Sequence, residues 1–155
     1  MSRVVVLPQH LEAMSRHAEE CYPEECCGFL IGDSGPLGTV VARVAPAGNE
    51  REESRHNRYV IHPEAVLAAT KEARALGLDV VGYYHSHPDH PARPSEFDRE
   101  HAWPGLSYVI VAVAGGKVEE ARSWRLSDDR ERFEEEEIEA GPSSSAIRLD
   151  KEAVP

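Results

Sequence analysis

The sequence predicts one domain of the α/β class. Residues 80–84 and 108–113 are apolar throughout, as strands covered on both faces of a sheet are. Two other segments carry apolar residues at helical spacing: Leu11, Met14, Ala18 and Cys21 in one, Val66, Ala69, Ala73 and Leu76 in the other. Each of those helices therefore has a single face to bury. With 155 residues, the chain can build one sizeable core and is too short for two comfortable ones.

Taken in order, residues 3–7 are a short β-branched run and form a first strand. Pro8 suits the first turn of a helix, where its missing N–H costs nothing, and this helix continues to Tyr22 before Pro23 interrupts it. Residues 26–32 form a largely apolar strand that stops at Asp33-Ser34-Gly35, and the segment 39–45 returns beside it. Together they predict a β-hairpin whose loop holds Gly35, Pro36 and Gly38. Gly28, inside the first of these strands, marks a close approach or a bulge. The charged stretch 49–58 has nothing to bury and is expected to be a surface loop.

A short strand at 59–61 precedes Pro63, which opens the second helix, and Gly77 ends it; His62 is a boundary residue. The strand 80–84 delivers His85 and His87 at its C-terminal end, the edge at which α/β sheets place ligands. A short helix over 95–102 carries Asp98, and Pro104-Gly105 closes it. The strand 108–113 turns at Gly115-Gly116 into a strand over 117–126, apolar at Val118, Trp124 and Leu126 with charged neighbours between. The acidic run 133–138 fits a strand or a helix. Beyond Gly141 periodicity is lost, which divides the chain into a domain of residues 1–140 and a flexible tail of 141–155.

Composition narrows the function classes. Hydrophobic residues make up 41% and charged residues 29% of the chain, the balance of a soluble globular protein. A net charge of −11 argues against binding a nucleic-acid backbone, which requires a basic stripe. No apolar run approaches the ~18–20 residues needed to span a bilayer, and the apolar start after Met1 is too short for a signal peptide. The expectation is a cytoplasmic protein without a membrane partner. Cys21, Cys26 and Cys27 form no Cys-x-x-Cys pair, so reduced thiols are expected rather than disulfides or thiolate ligands.

The chemistry concentrates in residues 85–98. On an extended strand His85 and His87 point to the same face, so both imidazoles can converge on one ion. Asp98 returns from the helix that follows and can supply a carboxylate. Three protein ligands of mixed nitrogen and oxygen type leave a tetrahedral zinc with one open position, which is a catalytic arrangement. The bland alternative is a pair of polar histidines at a strand end, with Asp98 solvated and Ser95 capping the helix through its Ser-x-x-Asp spacing. Hydrolysis also needs a general base. No His-Glu-x-x-His occurs, and Glu24 and Glu25, at the start of the 26–32 strand, could lie beside the metal if that strand neighbours the histidine strand. The acidic residues at 50–53 and 134–137 read as solvated charge.

The run Tyr22-Pro23-Glu24-Glu25-Cys26-Cys27-Gly28-Phe29-Leu30-Ile31-Gly32 resembles the Tyr-Pro-x-Glu-x-Cys-Gly-x-Leu-x-Gly signature of small prokaryotic JAMM (MPN+) metalloproteases. Residues 85–98 match that family's second signature, His-x-His-Pro-x6-Ser-x2-Asp, at every fixed position, and the two occur in the family's order. The resemblance covers roughly residues 3–139. It implies a cytidine-deaminase-like α/β/α sandwich with a mixed central sheet, and one zinc per chain held by His85, His87 and Asp98. It further implies Glu25 as the catalytic glutamate, with Glu24 at a variable position, and Ser95 as the hydroxyl that stabilises the oxyanion. His90 and His101 match no fixed position; both read as surface residues, with His90 able to reach the mouth of the site.

Members of this family cut amide bonds after the Gly-Gly terminus of ubiquitin or of ubiquitin-fold sulfur carriers. The resemblance therefore implies a carrier protein or its conjugates as the partner, by release of an amino acid or by removal from lysine. The 49–58 loop is the expected substrate-contacting insertion. Without a second insertion to grip another ubiquitin, carrier processing is favoured over chain editing. Two rivals come from other classes. A non-catalytic MPN scaffold would usually have lost the ligands kept here, and a zinc deaminase would want Pro-Cys-x-x-Cys, which is absent.

Overall fold

In the computed structural model, which describes residues 2–36, 38–49 and 61–141, helices pack around one sheet. The strands are β1 (Arg3–Val5), β2 (Cys27–Gly35), β3 (Gly38–Ala47), β4 (Asp79–Pro88), β5 (Ser107–Ala114), β6 (Lys117–Leu126) and β7 (Phe133–Glu139). The helices are α1 (Pro8–Cys21), α2 (Pro63–Ala75) and α3 (Glu96–His101). The sheet order is β1-β3-β2-β4-β5-β6-β7, and it is mixed, with β4 parallel to β5 and antiparallel to β2. The sheet also closes on itself, because β1 lies parallel to both β3 and β7.

Alternation along the strands sorts side chains into two layers. Leu30, Tyr84, Val109, Val111 and Val113 face α1 and pack with Met14 and Ala18. Their neighbours Phe29 and Ile31 face the other way and pack against Ala69 and Ala73 of α2. The apolar stripe of each helix is thus its seam with one face of the sheet, and the α/β/α layering expected from the sequence is present. β4 runs between β2 and β5: His85 is paired on both sides, with Cys27 and Ile110, and His87 with Ala112 of β5.

Local chemistry sets the element ends. His62 caps α2, its Nδ1 accepting from the Glu64 N–H at 3.1 Å, with Pro63 at the first helical position. Leu76, at the other end, gives way to Gly77 at φ 72°. The β2–β3 turn is tighter than the expected loop, since pairing continues to Gly35 and Gly38. The run 133–139, open between strand and helix on sequence, is strand β7. Within it Glu136 departs from solvated charge: it is buried and accepts a 2.7 Å hydrogen bond from the Ser123 hydroxyl. Residues 59 and 60 of the expected short strand lie outside the described residues, as do 50–58 and 142–155, and Ile61 is not in a strand.

Gly28 is required by its neighbour across the sheet. A Cβ there would stand 2.1 Å from a ring carbon of Tyr84. That ring cannot yield easily, being fully buried, with its hydroxyl 2.7 Å from His17 Nδ1. Gly28→Ala is therefore expected to destabilise the fold by about 1–3 kcal/mol through overpacking, measured as a lower midpoint in chemical denaturation with an unchanged slope.

Candidate metal centre and active site

β4 and α3 bring three donors to one point. His85 Nε2 and His87 Nε2 are 3.2 Å apart. Asp98 Oδ2 lies 3.1 Å from the His87 nitrogen and 3.4 Å from the His85 nitrogen. The period of two places both histidines on one face of β4, and both are buried, at 1% and 6% exposure. Asp98 arrives because Ser95 caps α3. The Ser95 hydroxyl accepts from the Asp98 N–H at 3.0 Å, while Asp98 Oδ2 accepts from the Ser95 N–H at 2.8 Å. The capping box that reads as mere helix chemistry thus aims the carboxylate at the histidines.

The donor set fits a metal ion. His87 Nδ1 lies 2.9 Å from the Pro91 carbonyl, which can only accept, so the ring proton is on Nδ1 and Nε2 presents a lone pair. Burial lowers His85 below its ordinary value, against the opposing pull of Asp98, which favours a neutral ring there too. Burial alone would raise the Asp98 carboxyl, but charge and hydrogen bonding from the two histidines, where they carry protons, hold it well below the usual carboxylate range. An ion that displaced those protons would meet two nitrogen lone pairs and an anionic oxygen under cover of the protein. A tetrahedral ion with ligand bonds of about 2.0–2.1 Å separates its ligands by about 3.3 Å, which the three distances match. Among the described residues these three are the group of His, Cys, Asp and Glu side chains close enough to share an ion.

Beside them lies a cleft lined by Glu25, His87, His90, Ser95 and others. Glu25 is buried at 3% exposure, and its Oε1 has no hydrogen-bond partner among the described residues. Its pKa is pushed up to about 9, first by burial and then by the charge of Asp98. Glu24, the other candidate base, is exposed. Of the two glutamates Glu25 lines this cleft, and Ser95 stands in it too. His90 is at its rim, as expected. His101 stands on the other side, stacked on Phe97, in an apolar pocket of about 260 Å³ whose walls include Tyr83, Trp103 and Tyr108 and which His85 and Asp98 border.

Several supporting residues have roles that depend on strand register and that spacing along the sequence does not show. Ser86, between the histidines and fully buried, accepts from the Cys26 N–H at 2.8 Å, while its own N–H donates to the Cys26 carbonyl at 3.1 Å. That exchange ties the residue after Glu25 to the histidine strand. Asn49 donates to the Glu25 carbonyl at 3.2 Å. The Tyr22 hydroxyl donates to Asp89 at 2.7 Å, and Asp89 also accepts from the Gly115 N–H at 3.0 Å. The segments flanking both halves of the site are thereby clamped together.

Comparison with known proteins agrees with this geometry. The family described as prokaryotic homologs of the JAB domain matches residues 7–127. A desampylase of Haloferax volcanii is 34% identical over 135 residues, covering 84% of this chain and 94% of its own length. A probable TtuB-protein conjugate cleaving protease of Thermus thermophilus is 39% identical over 105 residues, 68% of this chain and 67% of its own. A CysO-cysteine peptidase of Mycobacterium tuberculosis is 30% identical over 127 residues, 81% and 84% of the two chains. The solution structure of a Desulfitobacterium hafniense protein superposes with a TM-score of 0.76 at 33% identity, covering 87% of this chain and 90% of that one.

The buried carboxyl gives a pH signature in metal-free protein. Its folded pKa of about 9 lies above the ordinary 4.5, so the folded state binds the proton more tightly than the unfolded state does. The contribution to stability is complete below about 4.5 and is lost as pH rises through about 9. Thermal melts in the presence of chelator are expected to show wild type losing stability relative to Glu25→Gln between pH 5 and pH 9, the reverse of the trend for a salt-bridged carboxylate.

Proposed function

The chain belongs to the family of prokaryotic homologs of the JAB domain, and from that membership we propose that it is a zinc-dependent hydrolase of amide bonds. Its substrate is the bond that follows the C-terminal Gly-Gly of a ubiquitin-like sulfur-carrier protein. The observation that carries this reading is the convergence of His85, His87 and Asp98 within 3.4 Å, with the buried Glu25 in the adjoining cleft. The names of the relatives support the substrate class: a desampylase, a protease cleaving protein conjugates and a peptidase acting on CysO-cysteine. A scaffold without activity would have no use for a buried acid beside a complete donor set.

In this mechanism His85, His87 and Asp98 would hold one zinc ion per chain. When bound, zinc supplies a Lewis acid that polarises the scissile carbonyl and brings the pKa of a water toward neutrality. Glu25 accepts the proton of the attacking water and passes it to the departing amine. Ser95 uses an oxygen lone pair to accept from the Asp98 N–H, which leaves its own proton free to donate to the oxyanion. Such a donor contributes about 2.7–4 kcal/mol to the transition state where one has been removed.

Two substitutions test the assignment on a carrier extended beyond its Gly-Gly. Glu25→Gln should retain zinc and fold while kcat falls by about 10²–10⁴. Ser95→Ala should lower kcat by about 10²–10³ with KM little changed. Full turnover by Glu25→Gln would show that another group is the base.

A further inference from the structure

We propose that Arg93 selects the leaving side of the substrate by binding the α-carboxylate of a single amino acid attached after the carrier's Gly-Gly. The preferred reaction is then release of that amino acid rather than cleavage from a lysine side chain. The inference rests on the hydrolase reading above and concerns which amine departs.

Glu25 protonates the departing amine, so the leaving group must occupy the side of the site that Glu25 lines. That side is the cleft shared by Glu25, His87, His90, Arg93, Ser95 and Glu96; the apolar pocket lies beyond His85 and Asp98. Within the cleft Glu96 is already held by Arg99, with Nε 3.0 Å from Oε2. Arg93 pairs with no carboxylate among the described residues, whereas Arg16 and Arg43 each hold one and Arg122 holds two. In a chain of net charge −11, an uncommitted guanidinium beside the reacting groups stands out.

Its backbone is firmly placed. The Pro91 carbonyl accepts from His87 Nδ1 at 2.9 Å and from the Arg93 N–H at 2.8 Å. The neighbouring Ala92 carbonyl accepts from the Trp124 indole N–H at 3.0 Å. The turn that completes the environment of a candidate metal ligand therefore also fixes where the Arg93 side chain starts.

The chemistry of the two leaving groups differs at this point. An amino acid released from the carrier carries its carboxylate on the carbon bonded to the scissile nitrogen. A lysine conjugate places four methylenes there and no charge. Guanidinium matches a carboxylate with two parallel hydrogen bonds, so Arg93 gains a partner only with the first kind of substrate.

The test assays zinc-loaded wild type and Arg93→Gln on three probes built on one ubiquitin-fold carrier ending in Gly-Gly. The first is extended by one alanine with a free carboxylate, the second by alanine carboxamide, and the third is joined to the ε-amine of lysine in a short peptide. Arg93→Gln should lower kcat/KM on the carboxylate probe about tenfold, mainly through KM, and change the other two by no more than about twofold. Arg93→Lys should recover part of the loss. An equal loss on all three probes, no loss on the first, or wild-type cleavage confined to the lysine probe would overturn the role of Arg93 while leaving the hydrolase reading intact. A wild type inactive on all three would overturn the hydrolase reading, and this one with it.

Discussion

Three electron-rich atoms, two imidazole nitrogens and one carboxylate oxygen, crowd within 3.4 Å of one another beneath the surface. They lie at hydrogen-bonding distance of one another, the spacing at which a shared ion would take their lone pairs instead. Much of the surrounding structure serves to hold the three atoms together. The Pro91 carbonyl fixes the His87 tautomer, the Ser95 cap aims Asp98, and β4 is held by both β2 and β5 at His85 and by β5 at His87.

The same strand connects the metal donors to the acid. The outward residues of β4 are Tyr83, His85 and His87; the residues between them face the core side, where Tyr84 fills the space left open by Gly28 and Ser86 grips the backbone of Cys26. Glu25 precedes Cys26 and is held from the other side by Asn49. Its position is thus set by backbone hydrogen bonds, while its Oε1 has no hydrogen-bond partner among the described residues. Burial raises its proton affinity.

Much of this was legible in the sequence. The spacing of His85 and His87 is a strand period, Ser95 and Asp98 are a helix-start pattern, and the apolar strands and helical stripes mark the layers correctly. Other features were not, each for a physical reason. Spacing alone leaves Glu24 and Glu25 open, because the choice depends on which residue turns inward just before β2 begins; only the resemblance to the family's signature singles out Glu25. β7 showed no clear period because its buried position is occupied by Glu136, satisfied by Ser123 from the neighbouring strand. Closure of the sheet through β1 relies on parallel pairing between distant segments, which leaves no local trace. The apolar pocket beside His85 draws its walls from separate elements, among them β4, β5, α2 and α3, and appears only when they are assembled.

The central claim is that the three donors form a resident metal site. Zinc content per chain, measured on protein purified without added metal for wild type and for His87→Ala, tests it most directly. The account predicts about one zinc per wild-type chain, as expected of a three-ligand catalytic site, and none in the variant with its fold preserved. A wild type that is isolated without metal and takes up no zinc on addition would contradict it.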